Sequence, residues 1–132
     1  MRLILTALIF AMGLFFLVMG LNFLAMPQSA GAGFGLTPDG PAGLAVLRAD
    51  FPALFFVGGL AMIWGAWKRN GDLLLVPAAL FGIAFVGRAV TAAVDGIYPE
   101  FWLPMSVEAF HVVLLLAARQ LLPHHTIEQM SG

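Results

Sequence analysis

The sequence predicts an all-α protein, an integral membrane four-helix bundle with both termini on the cytoplasmic side. Of the 132 residues, 61% are hydrophobic and only 10% are charged, whereas soluble domains are roughly 45–50% apolar and about 25% charged. Four apolar runs each approach or exceed the ~20 residues that a helix needs to cross a bilayer. Basic residues are concentrated on one side of this arrangement, and that bias predicts its orientation.

The first predicted helix covers residues 3–26 and ends before Pro27, because proline cannot continue a helix that precedes it. Arg2 and the Ala30-Gly31-Ala32 triplet would also suit a cleaved signal peptide. The apolar run of about 24 residues is longer than the ~7–15 residues of a signal-peptide core. We therefore predict a retained helix, followed by a linker rich in glycine and proline over residues 28–43.

The second predicted helix covers residues 44–67 and carries Arg48, Asp50 and Pro52 near its start. Two structures remain open for this segment. Asp50 can serve as the N-cap of a helix that has Pro52 in its first turn. Alternatively, the helix is continuous and Pro52 leaves the carbonyl of Arg48 without its usual donor.

A short polar turn separates the second helix from the third, which is predicted over residues 73–94. Asp95-Gly96 has the composition of a helix-ending turn, because glycine adopts the left-handed conformation at helix ends. The fourth helix is predicted over residues 105–122, and Glu108 is a possible cap at its start. Residues 123–132 form a polar tail, so the whole chain is one transmembrane domain.

The flanking charges predict the orientation of these helices. With the N-terminus inside, the cytoplasmic side holds the cations Arg2, Lys68, Arg69 and Arg119, and the opposite side holds the acids Asp39, Asp95 and Glu100. Basic residues favour the cytoplasmic side of short loops. We expect a multi-pass protein of the bacterial inner membrane.

With this orientation, polar residues from all four helices fall in the outer third of the bilayer. A charge at membrane depth costs several kcal/mol unless it is paired or faces water. Arginine does not lose its proton in proteins, so the two embedded arginines must find carboxylates, carbonyls or water. The sequence therefore predicts a ligand-binding site or charge network made of Asn22, Arg48, Asp50, Arg88, Asp95, Glu108 and His111.

The spacing of these residues supports a shared layer. Arg88 lies six residues before Val94, or ~9 Å below the outer end of its helix. Arg88 and Asp95 share one helical stripe, and Glu108 and His111 share another. His111 is interpreted as a hydrogen-bonded structural histidine, and we predict no metal site and identify no cofactor. With a net charge of −1, the chain has no basic surface to attract nucleic acid.

An ordered set of short motifs resembles a known family. The motifs are Thr37-Pro38-Asp39-Gly40, Leu47-Arg48-Ala49-Asp50-Phe51, Gly58-Gly59, Gly87-Arg88, Asp95-Gly96 and Val107-Glu108. Together they resemble the domain-of-unknown-function 4345 family, a group of small bacterial four-helix membrane proteins. The resemblance implies an inner-membrane bundle with Arg48, Arg88, Asp95 and Glu108 as its characteristic polar positions. It implies no activity, and Pro52 stands where a small residue is expected.

Three functions are compatible with the sequence. In the first, the charged layer binds the polar head of an amphiphile (a lipid, a quinone or a sterol-like molecule), and the tail lies among the apolar helices. In the second, the charges form a buried network in an accessory subunit, as a homo-oligomer or within a larger membrane complex. In the third, Glu108 and His111 act as an acid/base pair in an enzyme or a proton-coupled transporter, with Arg88 holding an anion.

Overall fold

The structure, a computed structural model, describes residues 1–122 and consists of helices joined by short connections. The helices are α1 (Arg2–Ala25), α2 (Pro27–Ala32), α3 (Gly40–Trp67), α4 (Leu75–Val94) and α5 (Trp102–Leu121), and a 3₁₀ turn, Gly71–Leu74, leads directly into α4. Four of these segments are long and apolar enough to cross a membrane. The predicted all-helical, four-span fold is confirmed.

The long helices form two antiparallel pairs. α1 packs mainly against α3, and α4 packs mainly against α5. One half of the bundle, near the first turns of α1 and the last turns of α5, is filled by a core to which all four long helices contribute. We call this half the closed end; its buried side chains include Ile9, Met62, Leu74, Ala78, Leu115 and Ala118.

The opposite half, which we call the open end, contains α2 and the loop of residues 95–101. Here a separate small core of Phe23, Ala30 and Leu47 joins α1, α2 and α3. None of these three residues comes from α4 or α5. The two helix pairs are therefore united by a common core at the closed end, whereas at the open end only one pair has its own core.

Glycine allows α1 and α3 to approach backbone to backbone. A Cβ atom added at Gly59 would lie 2.8 Å from the carbonyl oxygen of Gly13, and one added at Gly13 would lie 2.8 Å from the carbonyl oxygen of Gly59. Small residues at such crossings are typical of membrane helices, where close packing takes the place of the hydrophobic effect. This contact holds the first helix pair together along its middle.

We expect Gly59→Ala to lower the free energy of unfolding by about 1–2 kcal/mol, because the added methyl group would force two rigid backbones apart. Unfolding by sodium dodecyl sulfate in mixed micelles measures the change. Gly87→Ala is the matched control, since a Cβ at Gly87 meets nothing within 4 Å. Equal stability of the two variants would show that the close approach of α1 and α3 is unimportant.

The structure decides between the two alternatives for the second predicted helix. α3 runs without interruption from Gly40 to Trp67 and contains Pro52 in its interior, so Asp50 is not an N-cap. The helix begins four residues before the predicted start at 44, and Asp39 is its N-cap residue. Pro41 is compatible with this early start because proline is tolerated in the first helical turn.

The second helix pair begins and ends close to the predicted residues. Asp95 ends α4, and the amide of Gly96 donates to the carbonyl of Thr91, with Gly96 at a φ of +102°. The predicted helix-ending turn at Asp95-Gly96 is therefore confirmed. α5 begins at Trp102 rather than at 105. Glu108 thus lies in the second turn of α5 and is not its cap. The predicted polar tail, residues 123–132, lies outside the described residues.

An ion pair that the sequence reasoning did not identify lies at the closed end. Nη2 and Nε of Arg119 donate to Oδ1 of Asp72 at 3.0 and 3.2 Å. The side chain of Asn70 accepts a hydrogen bond from the amide of Asp72 at 3.1 Å, which caps the 3₁₀ turn. These contacts connect the start of the second helix pair to its last turn.

Candidate functional site

A cavity of about 510 Å³ lies where the two helix pairs face each other. Binding sites for small molecules typically measure ~300–1,000 Å³. All four long helices contribute to the wall, together with Phe34 from the segment after α2. The lining residues are Phe15, Phe16, Met19, Phe34, Leu54, Phe55, Leu80, Phe81, Ala84, Arg88, Leu103, Pro104, Val107 and Glu108.

Phenylalanine rings form much of the wall. Phe16 contacts Phe55 and Phe81, with ring centroids 5.2 Å apart in both pairs, the separation expected of favourable aromatic contacts. The rings come from α1, α3 and α4, so the aromatic wall spans both helix pairs. Sequence reasoning did not identify it. The available signal was the helical spacing of Phe15 and Phe16 with Met19, which places the three side chains on one face of α1.

The polar part of the wall is the ion pair of Arg88 and Glu108. Nε of Arg88 donates to Oε1 of Glu108 at 2.7 Å, which is short enough for a strong charge-assisted hydrogen bond. Arg88 lies six residues before the end of α4, and Glu108 lies six residues after the start of α5. Because the helices are antiparallel, both residues are ~9 Å from the same end of the pair. Because α5 begins at Trp102 and not at the predicted residue 105, Glu108 lies at the same depth as Arg88.

Tyr98 is the third member of this polar group. Its hydroxyl oxygen accepts a hydrogen bond from Nη1 of Arg88 at 3.3 Å. Tyr98 lies in the loop between α4 and α5 and was not among the site residues predicted from the sequence. The loop is short, so its residues must lie over the end of α4, close to Arg88. The length of the loop was the signal in the sequence that could have predicted this contact.

Glu108 is buried to an unusual degree for an acid. Only 7% of the residue is exposed. While Oε1 is bonded to Arg88, Oε2 is buried and has no hydrogen-bond partner among residues 1–122. An unsatisfied buried acceptor is costly, by about 1–3 kcal/mol and more when it is charged. Because Glu108 lines the cavity, the unsatisfied oxygen belongs to a site that is otherwise almost entirely apolar.

The structure places the predicted site residues of α1 and α3 away from this ion pair. Nε of Arg48 donates to the carbonyl of Leu24 at 3.2 Å, so the cation is bonded to a backbone carbonyl in the last turn of α1. Asp50 is exposed, and Asn22 is half-buried. Neither of these two side chains has a hydrogen bond or ion-pair partner among the described residues.

Two further predicted residues belong to the helix pair that carries the ion pair but do not join it. Asp95 is exposed at the end of α4, and the described part of the chain provides no partner for its carboxylate. Nδ1 of His111 lies 2.6 Å from the carbonyl of Val107, and its ring stacks on Phe81 with centroids 4.3 Å apart. His111 is therefore held by its own helix, behind a ring that lines the cavity.

A smaller cavity of about 250 Å³ lies at the closed end and is lined by Arg2, Thr6, Arg69 and three leucines. It contains none of the predicted site residues. Oε2 of Glu108 is the buried side-chain atom that lacks a partner among residues 1–122, and Glu108 is one of the residues that line the larger cavity. No group of His, Asp or Glu in the described chain is arranged to hold a metal ion. The larger cavity is therefore the candidate site.

These features define a class: a small multi-pass helical membrane protein with a buried ion pair beside an apolar cavity. The chain belongs to the family described as Domain of unknown function (DUF4345), whose model matches residues 4–119 and thus nearly the whole chain. The resemblance indicated by the motifs is confirmed. Comparison with curated proteins and with solved structures found no match.

Proposed function

We propose that this protein binds an amphiphilic small molecule whose polar head contacts Arg88 and Glu108 and whose apolar tail occupies the cavity. The observation that carries the proposal is the unpartnered Oε2 of Glu108, a residue that lines an otherwise apolar cavity. A head group in the cavity would satisfy this buried oxygen once the carboxylate of Glu108 turns toward it. Binding would thereby relieve the cost of a buried polar atom that residues 1–122 leave unsatisfied.

The rest of the cavity suits an apolar tail. Apart from Arg88 and Glu108, its lining side chains are hydrocarbon, aromatic or thioether groups. Phe15 and Leu54 line the cavity and are 60% and 54% exposed, so the cavity is open along these residues. In a membrane these positions would face lipid, and an amphiphile could enter laterally without passing through water.

The same observations favour ligand binding over a purely structural network. A network that only fixed helix register would be expected to satisfy its own hydrogen-bonding groups, because a partly satisfied polar network destabilises a core. For an acid/base function, Glu108 and His111 would need to reach a common point. His111 is instead bonded to the carbonyl of Val107 and is absent from the cavity wall.

The proposal includes a location. In the orientation predicted from the basic residues, the open end faces the outside of a bacterial inner membrane. The ion pair would then lie ~9 Å from the outer end of its helices, a depth close to the head-group region. A molecule that binds there would keep its head near the outer surface and its tail toward the middle of the bilayer.

Co-purification tests the proposed function. The protein is purified in a mild detergent, and the extracted amphiphiles are quantified by mass spectrometry relative to the bulk membrane lipids. We expect one species to be enriched at about one molecule per chain. The double variant Arg88→Met/Glu108→Leu removes the polar pair without leaving one charge unpaired, and we expect it to lose at least about nine-tenths of that species, since each lost charged hydrogen bond is worth ~1.5–3 kcal/mol.

The second ion pair of the structure provides a matched control. Asp72→Asn/Arg119→Gln removes the charges of an ion pair that does not line the cavity, so the enriched species should be retained. Equal enrichment in both double variants would show that Arg88 and Glu108 do not bind the head group. Absence of any enriched species from the unaltered protein would contradict the proposal as a whole.

A further inference from the structure

The geometry points to the chemical class of the head group: an uncharged hydrogen-bond donor, such as the hydroxyl of a long-chain alcohol or other neutral lipid alcohol. This inference rests on the proposed function and extends it by naming the ligand class. It excludes two contacting groups that an arginine at the site would otherwise suggest, namely the ionised carboxylate of a fatty acid and the phosphate of a phospholipid. The basis is the way in which Arg88 and Glu108 already use their hydrogen-bonding groups.

The first step concerns charge. Arg88 and Glu108 are the charged residues in the cavity wall, and their ionised side chains lie 2.7 Å apart. Their charges cancel, so an anionic head would gain from the guanidinium but would be repelled by the carboxylate at nearly the same distance. An anion would also need to lose its hydration in an apolar cavity with no net positive charge, which is unfavourable.

The second step concerns donors and acceptors. Oε1 of Glu108 already accepts from Nε of Arg88, and Nη1 of Arg88 already donates to Tyr98. The group left unsatisfied is Oε2, and an ionised carboxylate oxygen accepts hydrogen bonds but cannot donate them. Only a head group that carries an O–H or N–H can satisfy it. Carboxylates, phosphate diesters, ethers and ketones are acceptors, so they leave this oxygen without a partner.

The third step separates neutral donors from cationic ones. A cationic head would bring a second positive charge next to Arg88, whose guanidinium is always protonated. A hydroxyl brings no charge, donates to Oε2, and has lone pairs that can accept from a remaining N–H of Arg88. The hydroxyl therefore matches both members of the ion pair, whereas each alternative head matches only one of them.

Three probes with the same tail test this inference: tritiated oleyl alcohol, oleyl methyl ether and oleyl sulfate. Each is bound to the purified full chain in dodecyl maltoside, and bound counts are measured after rapid gel filtration. We expect the alcohol to bind at least about tenfold more tightly than the ether, because the ether cannot donate to a buried charged acceptor. The sulfate should bind no better than the ether.

Glu108→Gln provides a test in which the preference changes. The amide oxygen of glutamine can still accept from Nε of Arg88, which leaves its NH₂ group as a donor in the position of Oε2. The advantage of the alcohol over the ether should fall to about twofold or less. The sulfate should gain at least about tenfold, because the charge of Arg88 is no longer neutralised. Each change compares the ratio of two probe affinities in the variant with the same ratio in the unaltered protein, in the same detergent. Partitioning of the probes into detergent affects both proteins equally and therefore cancels.

The outcomes separate this inference from the proposed function. If the unaltered protein binds the sulfate best, or binds the ether as tightly as the alcohol, the donor inference is wrong while the proposed amphiphile site stands. If Glu108→Gln leaves the three relative affinities unchanged, the head group does not contact Glu108 and the inference is again wrong. If none of the three probes binds the unaltered protein, the inference and the proposed function both fail.

Discussion

Glu108→Leu is expected to lower the free energy of unfolding by about 3 kcal/mol, since removal of one partner from a buried ion pair leaves an uncompensated charge, at a cost of ~3–5 kcal/mol. Arg88 cannot lose its proton and lies ~9 Å from the end of its helix. Its side chain is 36% exposed, whereas that of Glu108 is 9% exposed. This partial exposure places the expected cost at the lower end of the range.

The double variant Arg88→Met/Glu108→Leu should regain at least half of that loss, because both charges are then absent and apolar groups occupy the space. Unfolding of the single and double variants in mixed micelles, analysed as a double-mutant cycle, gives the coupling energy between the two residues. A coupling near zero would mean that the 2.7 Å contact contributes nothing to stability. Unfolding curves with one transition and equal slopes are required for the comparison.

Ala84→Trp is expected to reduce the amount of co-purified amphiphile at least tenfold while the protein stays folded. Ala84 lines the cavity from α4, one helical turn from Arg88. An indole there would occupy much of the space available to the tail, whereas it would leave the ion pair in place. Because the cavity is open and not closely packed, the added ring should cause little of the strain that overpacking produces in a dense core.

Ile83→Trp is the matched control for the cavity-filling variant. Ile83 is the preceding residue of the same helix, is 71% exposed, and does not line the cavity. The same side chain at nearly the same depth should therefore leave the bound amphiphile unchanged. The measurement is the molar ratio of amphiphile to protein by mass spectrometry. If both tryptophan variants keep the full ratio, the amphiphile is bound elsewhere on the bundle.

The two ends of the bundle differ in what stabilises them. At the closed end, side chains from all four long helices share one core, and Asp72 is bonded to Arg119. At the open end, the first helix pair has its own core of Phe23, Ala30 and Leu47, and the space between the pairs is the cavity. The cavity therefore lies at the end of the bundle where the two helix pairs do not share the common core.

Much of the fold and part of the site could be predicted from the sequence. Arg88 and Glu108 were identified because both are charged residues within predicted membrane helices, where a charge is costly unless it is paired or faces water. Their antiparallel helices then bring them to one level, and the structure pairs them at 2.7 Å. The other predicted residues were selected by their predicted depth in the bilayer. Depth does not specify the direction in which a side chain points around the helix bundle. Asp50 and Asp95 are exposed groups that do not join the pair.

The sequence by itself determined the class of protein, because apolar length and composition decide whether helices can cross a membrane. It also determined that Arg88 needs a partner. Only the tertiary structure decided that Arg48 bonds to the carbonyl of Leu24, and that Tyr98 reaches Arg88. It alone shows a cavity beside Glu108. The reason is that hydrophobic patterns specify which face of a helix is apolar, whereas the identity of neighbours and the space between them depend on how four surfaces pack at once.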